Sequence, residues 1–90
     1  MTFREAFLTA CELNPKAMKG QSKLLARLRK TDPRNKVVRN RWARIEKRVA
    51  ARYRKETGHV GAIDWGSILD WLIANLPTIL QLLMAILTLF

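Results

Sequence analysis

The residues of this 90-residue chain that could do chemistry are mostly cationic. Seventeen Lys and Arg stand against seven Asp and Glu, which gives a net charge of +10 at pH 7. Sixteen of the cations lie in residues 16–55, where the only acids are Asp32 and Glu46. Solvated helices usually mix charge signs so that i,i+4 pairs form, and like charges repel one another in a compact chain. The imbalance therefore predicts an anionic partner.

Phosphate suits these side chains because the guanidinium group is planar and offers several donors. The cations spread over two predicted helices and match no zinc-finger, RNA-recognition or recognition-helix pattern. We therefore expect binding to a nucleic-acid backbone, with weak sequence preference and steep salt dependence. The alternative partner is an anionic lipid surface. The predicted binding residues are Lys16, Lys19, Lys23, Arg27, Arg29, Lys30, Arg34, Lys36, Arg39, Arg41, Arg44, Lys47, Arg48, Arg52, Arg54 and Lys55.

Groups suited to catalysis or metal binding are scarce. Cys11 is the only cysteine and His59 the only histidine, too few for a usual zinc site. Cys11 is predicted to be a small buried residue of the first helix. Asp64 and Asp70 are interpreted as a helix cap and a helix-start charge. We expect no enzymatic activity, no metal and no cofactor.

The elements that must hold the cations are predicted to be helices. Thr2 and Glu5 have capping-box spacing, which predicts a first helix over residues 3–13. No secretory signal is expected there, because this stretch has no apolar run. The dipeptide Asn14-Pro15 predicts a second helix over residues 15–29.

Gly20 weakens the second helix near its middle. An alternative is therefore a shorter helix that begins at Lys23, with Ser22 as its cap.

A third helix is predicted over residues 33–56, after Asp32-Pro33 and before Gly58. Its apolar residues recur at intervals of four, three, four and four positions, which places them on one face. We expect this stripe to pack against a core. The stripe consists of Val38, Trp42, Ile45, Val49 and Tyr53.

Residues 63–90 are predicted to form one long hydrophobic helix after a glycine linker at residues 58–62. No charged residue follows Asp70. The uncharged run would be about 30 Å long as a helix, which is close to the thickness of a bilayer core. Pro77 lacks an N–H group and should kink or divide the helix after Asn75-Leu76.

Three arrangements of this helix are open. It could cross a membrane with Trp65 and Trp71 at the interface, it could assemble with copies of itself, or it could pack on the first three helices as their core. Small and polar residues form a stripe down one side, which favours close contact between helices in lipid and would face solvent in water. The residues of that stripe are Trp71, Ala74, Thr78, Gln81, Ala85 and Thr88.

The predicted fold is all-α. A basic helical hairpin of two to three helices forms the polyanion-binding part (residues 1–57). The glycine linker (residues 58–62) joins it to the hydrophobic, proline-kinked helix (residues 63–90), which is expected to be transmembrane or oligomerising.

This layout resembles that of small bacteriophage proteins, in which a short basic helical part, a glycine linker and an Asp-Trp-led Leu/Ile helix follow one another. The resemblance implies a non-enzymatic virion protein that links nucleic acid to a membrane or a protein assembly inside the capsid, as a homo-oligomer. The alternative is a holin-like or lysis protein at the host inner membrane, whose basic part holds anionic lipid on the cytoplasmic side. No site residue is implied by the resemblance.

Overall fold

The computed structural model describes the backbone of residues 1–87 and the side chains of residues 1–84. Within this part of the chain every regular element is helical, which confirms the all-α class there. A 3₁₀ turn, Trp65–Ile68, precedes α4. The α-helices are α1 (Phe3–Leu13), α2 (Ser22–Arg29), α3 (Lys36–Thr57), α4 (Leu69–Ala74) and α5 (Leu76–Leu87).

Local sequence signals set the ends of α1 and α3. The Thr2 hydroxyl accepts a hydrogen bond from the Glu5 N–H, and the Glu5 carboxylate accepts one from the Thr2 N–H, each at 3.2 Å. This reciprocal pair is the predicted capping box. Gly58 ends α3 with a φ of 71°, in the left-handed region where a glycine has no Cβ penalty.

The second helix is shorter than residues 15–29. Residues 15–20 form turns, and Gly20 has a φ of 80°, which a right-handed helix does not accommodate. Helix α2 therefore begins only at Ser22. The alternative prediction, a shorter helix that begins at Lys23, misses the observed start by one residue. The N-cap is Gln21 rather than Ser22, and Gln21 makes no side-chain cap hydrogen bond.

Helix α3 begins at Lys36 rather than at residue 33. The side chain of Asn35 accepts hydrogen bonds from the N–H groups of Val37 and Val38, at 2.9 and 3.2 Å. Asp32 instead closes a turn by accepting from the Arg34 N–H at 2.9 Å. Both Asp32 and Asn35 can cap a helix, and the residue nearer to the helix does so here.

As far as it is described, the hydrophobic C-terminal segment is divided into two helices, α4 and α5, rather than being one continuous helix. The division lies close to where Pro77 predicted a kink or a break. The chain bends by 92° between Trp65–Ala74 and Leu76–Met84. Asn75 occupies the break, and its side-chain amide donates to the Trp71 carbonyl at 2.9 Å. The division lies two residues before Pro77, where the missing N–H belongs to the first turn of α5 and costs no helical hydrogen bond.

The core lies between the N-terminal helices and the two C-terminal ones, with α1 packed on α4 and α3 packed on α5. Aromatic rings fill one end, where Phe3 lies edge-on to Trp65 with ring centroids 4.8 Å apart. The rest of the core includes fully buried aliphatic side chains. These are Leu28, Ile45, Val49, Leu72, Leu76, Ile79 and Leu83.

Candidate nucleic-acid interface

Helix α3 carries cations along the side that faces away from the core. At 3.6 residues per turn these side chains occupy about half of the helix circumference, and all of them are exposed. The helix has 22 residues and is about 33 Å long. The cationic face, as we name it, consists of Lys36, Arg44, Lys47, Arg48, Arg52, Arg54 and Lys55.

The opposite side of α3 holds the predicted apolar stripe. Trp42, Ile45 and Val49 are buried, and Val38 and Tyr53 at its ends are half-buried. The stripe therefore packs into the core as predicted, and the indole of Trp42 is not an exposed platform for stacking bases.

Both acids of α3 lie beside this stripe. Glu46 accepts a hydrogen bond from the indole N–H of Trp65 at 2.8 Å. Glu56 accepts one from the indole N–H of Trp71 at 3.1 Å. Hydrogen bonds to ionised acceptors are stronger than neutral ones, so these carboxylates stabilise the packing of the C-terminal segment on α3. They contribute no negative charge to the middle of the cationic face.

Some predicted binding residues have partners inside the molecule. Ion pairs join Arg29 to Glu12 at 3.0 Å, Arg34 to Asp32 at 3.2 Å and Arg52 to Glu56 at 3.1 Å. All six side chains are substantially exposed, so these pairs contribute little to stability. Hydrogen bonds from the backbone and side chain of Arg34 lower the pKa of Asp32.

Three other cations of the set have no such side-chain partner. Arg44, Lys47 and Arg48, in the middle of α3, make no hydrogen bond or ion pair within the part of the chain that the structure describes. Arg54 is exposed and donates to the Gly61 carbonyl at 3.0 Å. Arg41 is half-buried. The cationic face is therefore most available to a partner near its centre.

The remaining predicted binding residues lie off the cationic face. Lys16 and Lys19 are in the turns before α2, and Arg39 is at the edge of α3 nearest to α1. All the others in this group are exposed on or just after α2; these are Lys23, Arg27, Arg29 and Lys30. The structure thus places seven of the predicted cations on one face of α3 and scatters the rest.

The residues predicted for a membrane or oligomer contact do not share one surface. Trp65 is buried, and Trp71 is half-buried against Tyr53 with ring centroids 5.1 Å apart. Ala74 and Gln81 are exposed, with half-buried Thr78 between them. The Ala85 side chain and the whole of Thr88 lie outside the described residues.

The apolar side of the same helices faces inward. Leu72, Leu76, Ile79 and Leu83 are fully buried. For these residues the structure shows the third arrangement in its main part, with the segment packed on α1 and α3. Among the described residues, no single helix is long and apolar enough to cross a membrane, whereas the bent pair meets that test by length and composition alone.

Cys11 is buried, and desolvation raises the pKa of its thiol to about 11. His59 lies beside Tyr53 in the loop after α3, and its ring contacts the Ala62 carbonyl. In residues 1–84 no three His, Cys, Asp or Glu side chains gather into a metal-binding group.

Sequence reasoning missed the roles of Glu46 and Glu56. A signal was present, because Glu46 follows Trp42 by four positions and Glu56 follows Tyr53 by three, so both lie beside the apolar stripe. An acid beside a buried stripe needs an internal donor, and the tryptophans of the C-terminal segment are donors.

Compared with known proteins, this chain matches no family model, no characterised protein and no solved structure.

Proposed function

We propose that this protein is a non-enzymatic structural protein that binds the phosphates of nucleic acid through the cationic face of α3. One observation carries the proposal. Both acids of α3 are hydrogen-bonded to tryptophans of the C-terminal segment. Of the two, Glu56, near the end of the helix, also pairs with Arg52 of the cationic face. The centre of the face therefore keeps its cations without an interleaved acid. Such a row of like charges is unfavourable for the isolated protein and becomes favourable against a polyanion.

The shape of the face supports contacts to a backbone rather than to base edges. Its cations follow a straight helix for about 28 Å, from Lys36 to Lys55, and double-stranded DNA carries one phosphate charge about every 1.7 Å of its axis. Arg and Lys neutralise such charges irrespective of sequence. We therefore expect weak sequence preference and little discrimination between DNA and RNA duplexes.

The proposed setting is the interior of a bacteriophage particle, beside the packaged genome. This part of the proposal comes from the layout of the sequence. Exposed Ala74 and Gln81, on either side of the bend, would then contact a second copy or a shell protein, while the buried residues of α4 and α5 hold α3 in place. Linkage of nucleic acid to a protein assembly follows from this division of surfaces.

The proposal is tested by a salt titration with a labelled 30-base-pair duplex of random sequence. Fluorescence anisotropy would give Kd from 50 to 400 mM NaCl. Six phosphate contacts would give a slope of log K against log salt of about −5. An unrelated second duplex should bind equally well. Kd values that do not change with salt would contradict the proposal.

A second candidate is a membrane-active protein whose cations hold anionic lipid. The bent helix pair favours it, because together the two helices have the length and composition of a span. Insertion would require Leu72, Leu76 and Ile79 to leave the core, where they are fully buried. Vesicles containing phosphatidylserine decide between the two candidates. Release of dye from these vesicles, but not from neutral ones, would favour the membrane-active protein. Intact vesicles together with tight duplex binding would favour the nucleic-acid-binding protein.

A further inference from the structure

A groove of about 700 Å³ lies between the start of α1 and the first half of α3. Its volume is within the range of about 300–1,000 Å³ that is typical of small-molecule sites. Its walls combine apolar surface with charged and amide groups. The lining residues that matter here are Arg4, Arg39, Asn40, Trp42, Ala43 and Glu46.

The wall on the α1 side is held in place by hydrogen bonds. The guanidinium of Arg4 donates to the carbonyls of Arg29 and Thr31 at 3.2 and 3.3 Å, and it lies 6.0 Å from the centre of the Trp42 ring. The Trp42 indole N–H donates to the Thr31 hydroxyl at 3.4 Å. These contacts tie α1, α3 and the loop between α2 and α3 together, so the groove has fixed walls.

The groove also presents polar groups whose hydrogen-bonding capacity is not fully used within the protein. Glu46 uses one carboxylate oxygen for Trp65. Arg39 and Asn40 are exposed at the rim. A ligand that offers both donors and acceptors on a flat, partly apolar body would match this set of groups.

We infer that the groove takes an unpaired nucleobase while the cationic face holds the neighbouring phosphates. This inference rests on the function proposed above and adds a preference for single strands. Bases carry carbonyl and amino groups at their edges, and they stack on guanidinium planes such as that of Arg39. Lys36 and Arg44 lie on α3 on either side of Asn40, so phosphates flanking the bound base would meet cations.

A duplex cannot use the groove, because its bases are stacked and paired. Single-stranded nucleic acid has unstacked bases that can be splayed into a pocket. The structure therefore predicts two separable modes: phosphate binding on the cationic face, common to both forms, and base binding in the groove, restricted to single strands.

The test fills the groove without changing charge. Ala43 is exposed and lines the groove, so Ala43→Leu adds bulk there and keeps a good helix former on α3. Ala26→Leu on α2 is the matched control, because Ala26 is also exposed and lies outside the groove. Affinities are measured for a 12-nucleotide single strand and a 12-base-pair duplex at one salt concentration, after far-UV circular dichroism has verified the helices.

We expect Ala43→Leu to weaken single-strand binding about tenfold, as loss of one stacked base does, and to leave duplex binding within twofold. Ala26→Leu should change neither. Equal effects of Ala43→Leu on both forms, or no effect on either, would overturn the inference. Absence of salt-sensitive binding to both forms in the unaltered protein would instead overturn the proposed function.

A charge-matched pair gives an independent test. Arg39→Gln and Lys55→Gln each remove one cation, the first at the groove and the second at the far end of the cationic face. Lys55→Gln should weaken duplex and single-strand binding alike, because it removes one phosphate contact common to both. Arg39→Gln, off the cationic face, should weaken single-strand binding about five to ten times more than duplex binding. Equal losses for the single strand would show that the groove takes no base.

Discussion

The two sides of α3 differ in whether their charged side chains have partners within the protein. Beside the apolar stripe, half-buried Glu46 and exposed Glu56 are hydrogen-bonded to Trp65 and Trp71. On the exposed side, Arg44, Lys47 and Arg48 have no partner within the described residues. Acids are present in this helix where an internal donor satisfies them.

This difference separates what holds the fold together from what remains for a partner. A helix that needed only solubility would place Glu and Lys at i,i+4 on its exposed side. Here Arg52 and Glu56, at the end of the helix, are the one such pair in the ion pairs described above. The remaining exposed cations contribute repulsion to the free protein, and we expect phosphate contacts to relieve it.

The largest expected effect is on the buried side. Leu76→Ala removes a fully buried side chain from α5 and should lower the free energy of unfolding by about 2–5 kcal/mol. Leu13→Ala is the control, because Leu13 is 59% exposed and should change stability by less than about 0.5 kcal/mol. Urea denaturation measures both. Similar, small losses for both variants would mean that α5 does not pack on the core in solution.

The exposed side is tested by the triple variant Arg44→Gln, Lys47→Gln, Arg48→Gln. Loss of three phosphate contacts should reduce the magnitude of the slope of log K against log salt by about 2.7. It should also weaken duplex binding at 0.1 M salt about 100-fold. Stability to urea should not fall. The charge-matched control is Lys16→Gln, Lys19→Gln, Lys23→Gln. If both triple variants lose the same affinity, net charge alone matters and the cationic face has no special role.

The reactivity of the Cys11 thiol measures how well the core excludes water. Its thiol pKa is raised from 9.0 to about 11 by desolvation, so the native protein should react with a thiol reagent at pH 8 at least about 100 times more slowly than the urea-unfolded protein. The raised pKa stabilises the fold below pH 9, and this contribution disappears as the pH rises toward about 11. Cys11→Ala should lack that pH dependence. Equal reaction rates in the native and unfolded states would place the thiol in water.

The smallest effect is expected at the junction of the two sides. Trp65→Phe keeps the ring and removes the donor to Glu46, which should cost about 1–2 kcal/mol of stability. Trp71→Phe should cost less, because Glu56 is exposed and also pairs with Arg52. In a Glu46→Gln background the cost of Trp65→Phe should shrink. Costs that simply add would show that this hydrogen bond contributes nothing.

Several local features were predictable because their cause is local. The capping box of Thr2 and Glu5, the left-handed glycine at the end of α3 and the stripe through Trp42, Ile45 and Val49 each depend on residues a few positions apart. The limits of α2 and α3 were less predictable. Asp32 and Asn35 compete to cap α3, and the positive φ of Gly20 depends on how the turn packs.

The groove and the tryptophan–glutamate pairs depend on residues far apart in sequence. Trp65 meets Glu46 across 19 positions, and Arg4 reaches Thr31 across 27. Periodicity within one helix indicates which side is buried but not which element covers it. The stripe of Ala74, Thr78 and Gln81 would contact another helix in lipid, whereas it would face solvent in water.

The sequence by itself determined the helical class, the local caps and the concentration of positive charge before residue 56, because these follow from composition and short-range spacing. Pro77 predicted a break in the hydrophobic segment, but only the tertiary structure decided that the bend is 92° and that the segment, as far as it is described, packs on α1 and α3. The physical reason is that an uncharged apolar helix gains by leaving water whether it meets lipid, a copy or its own chain. The choice depends on complementary apolar surface elsewhere in the chain, and α1 and α3 provide it.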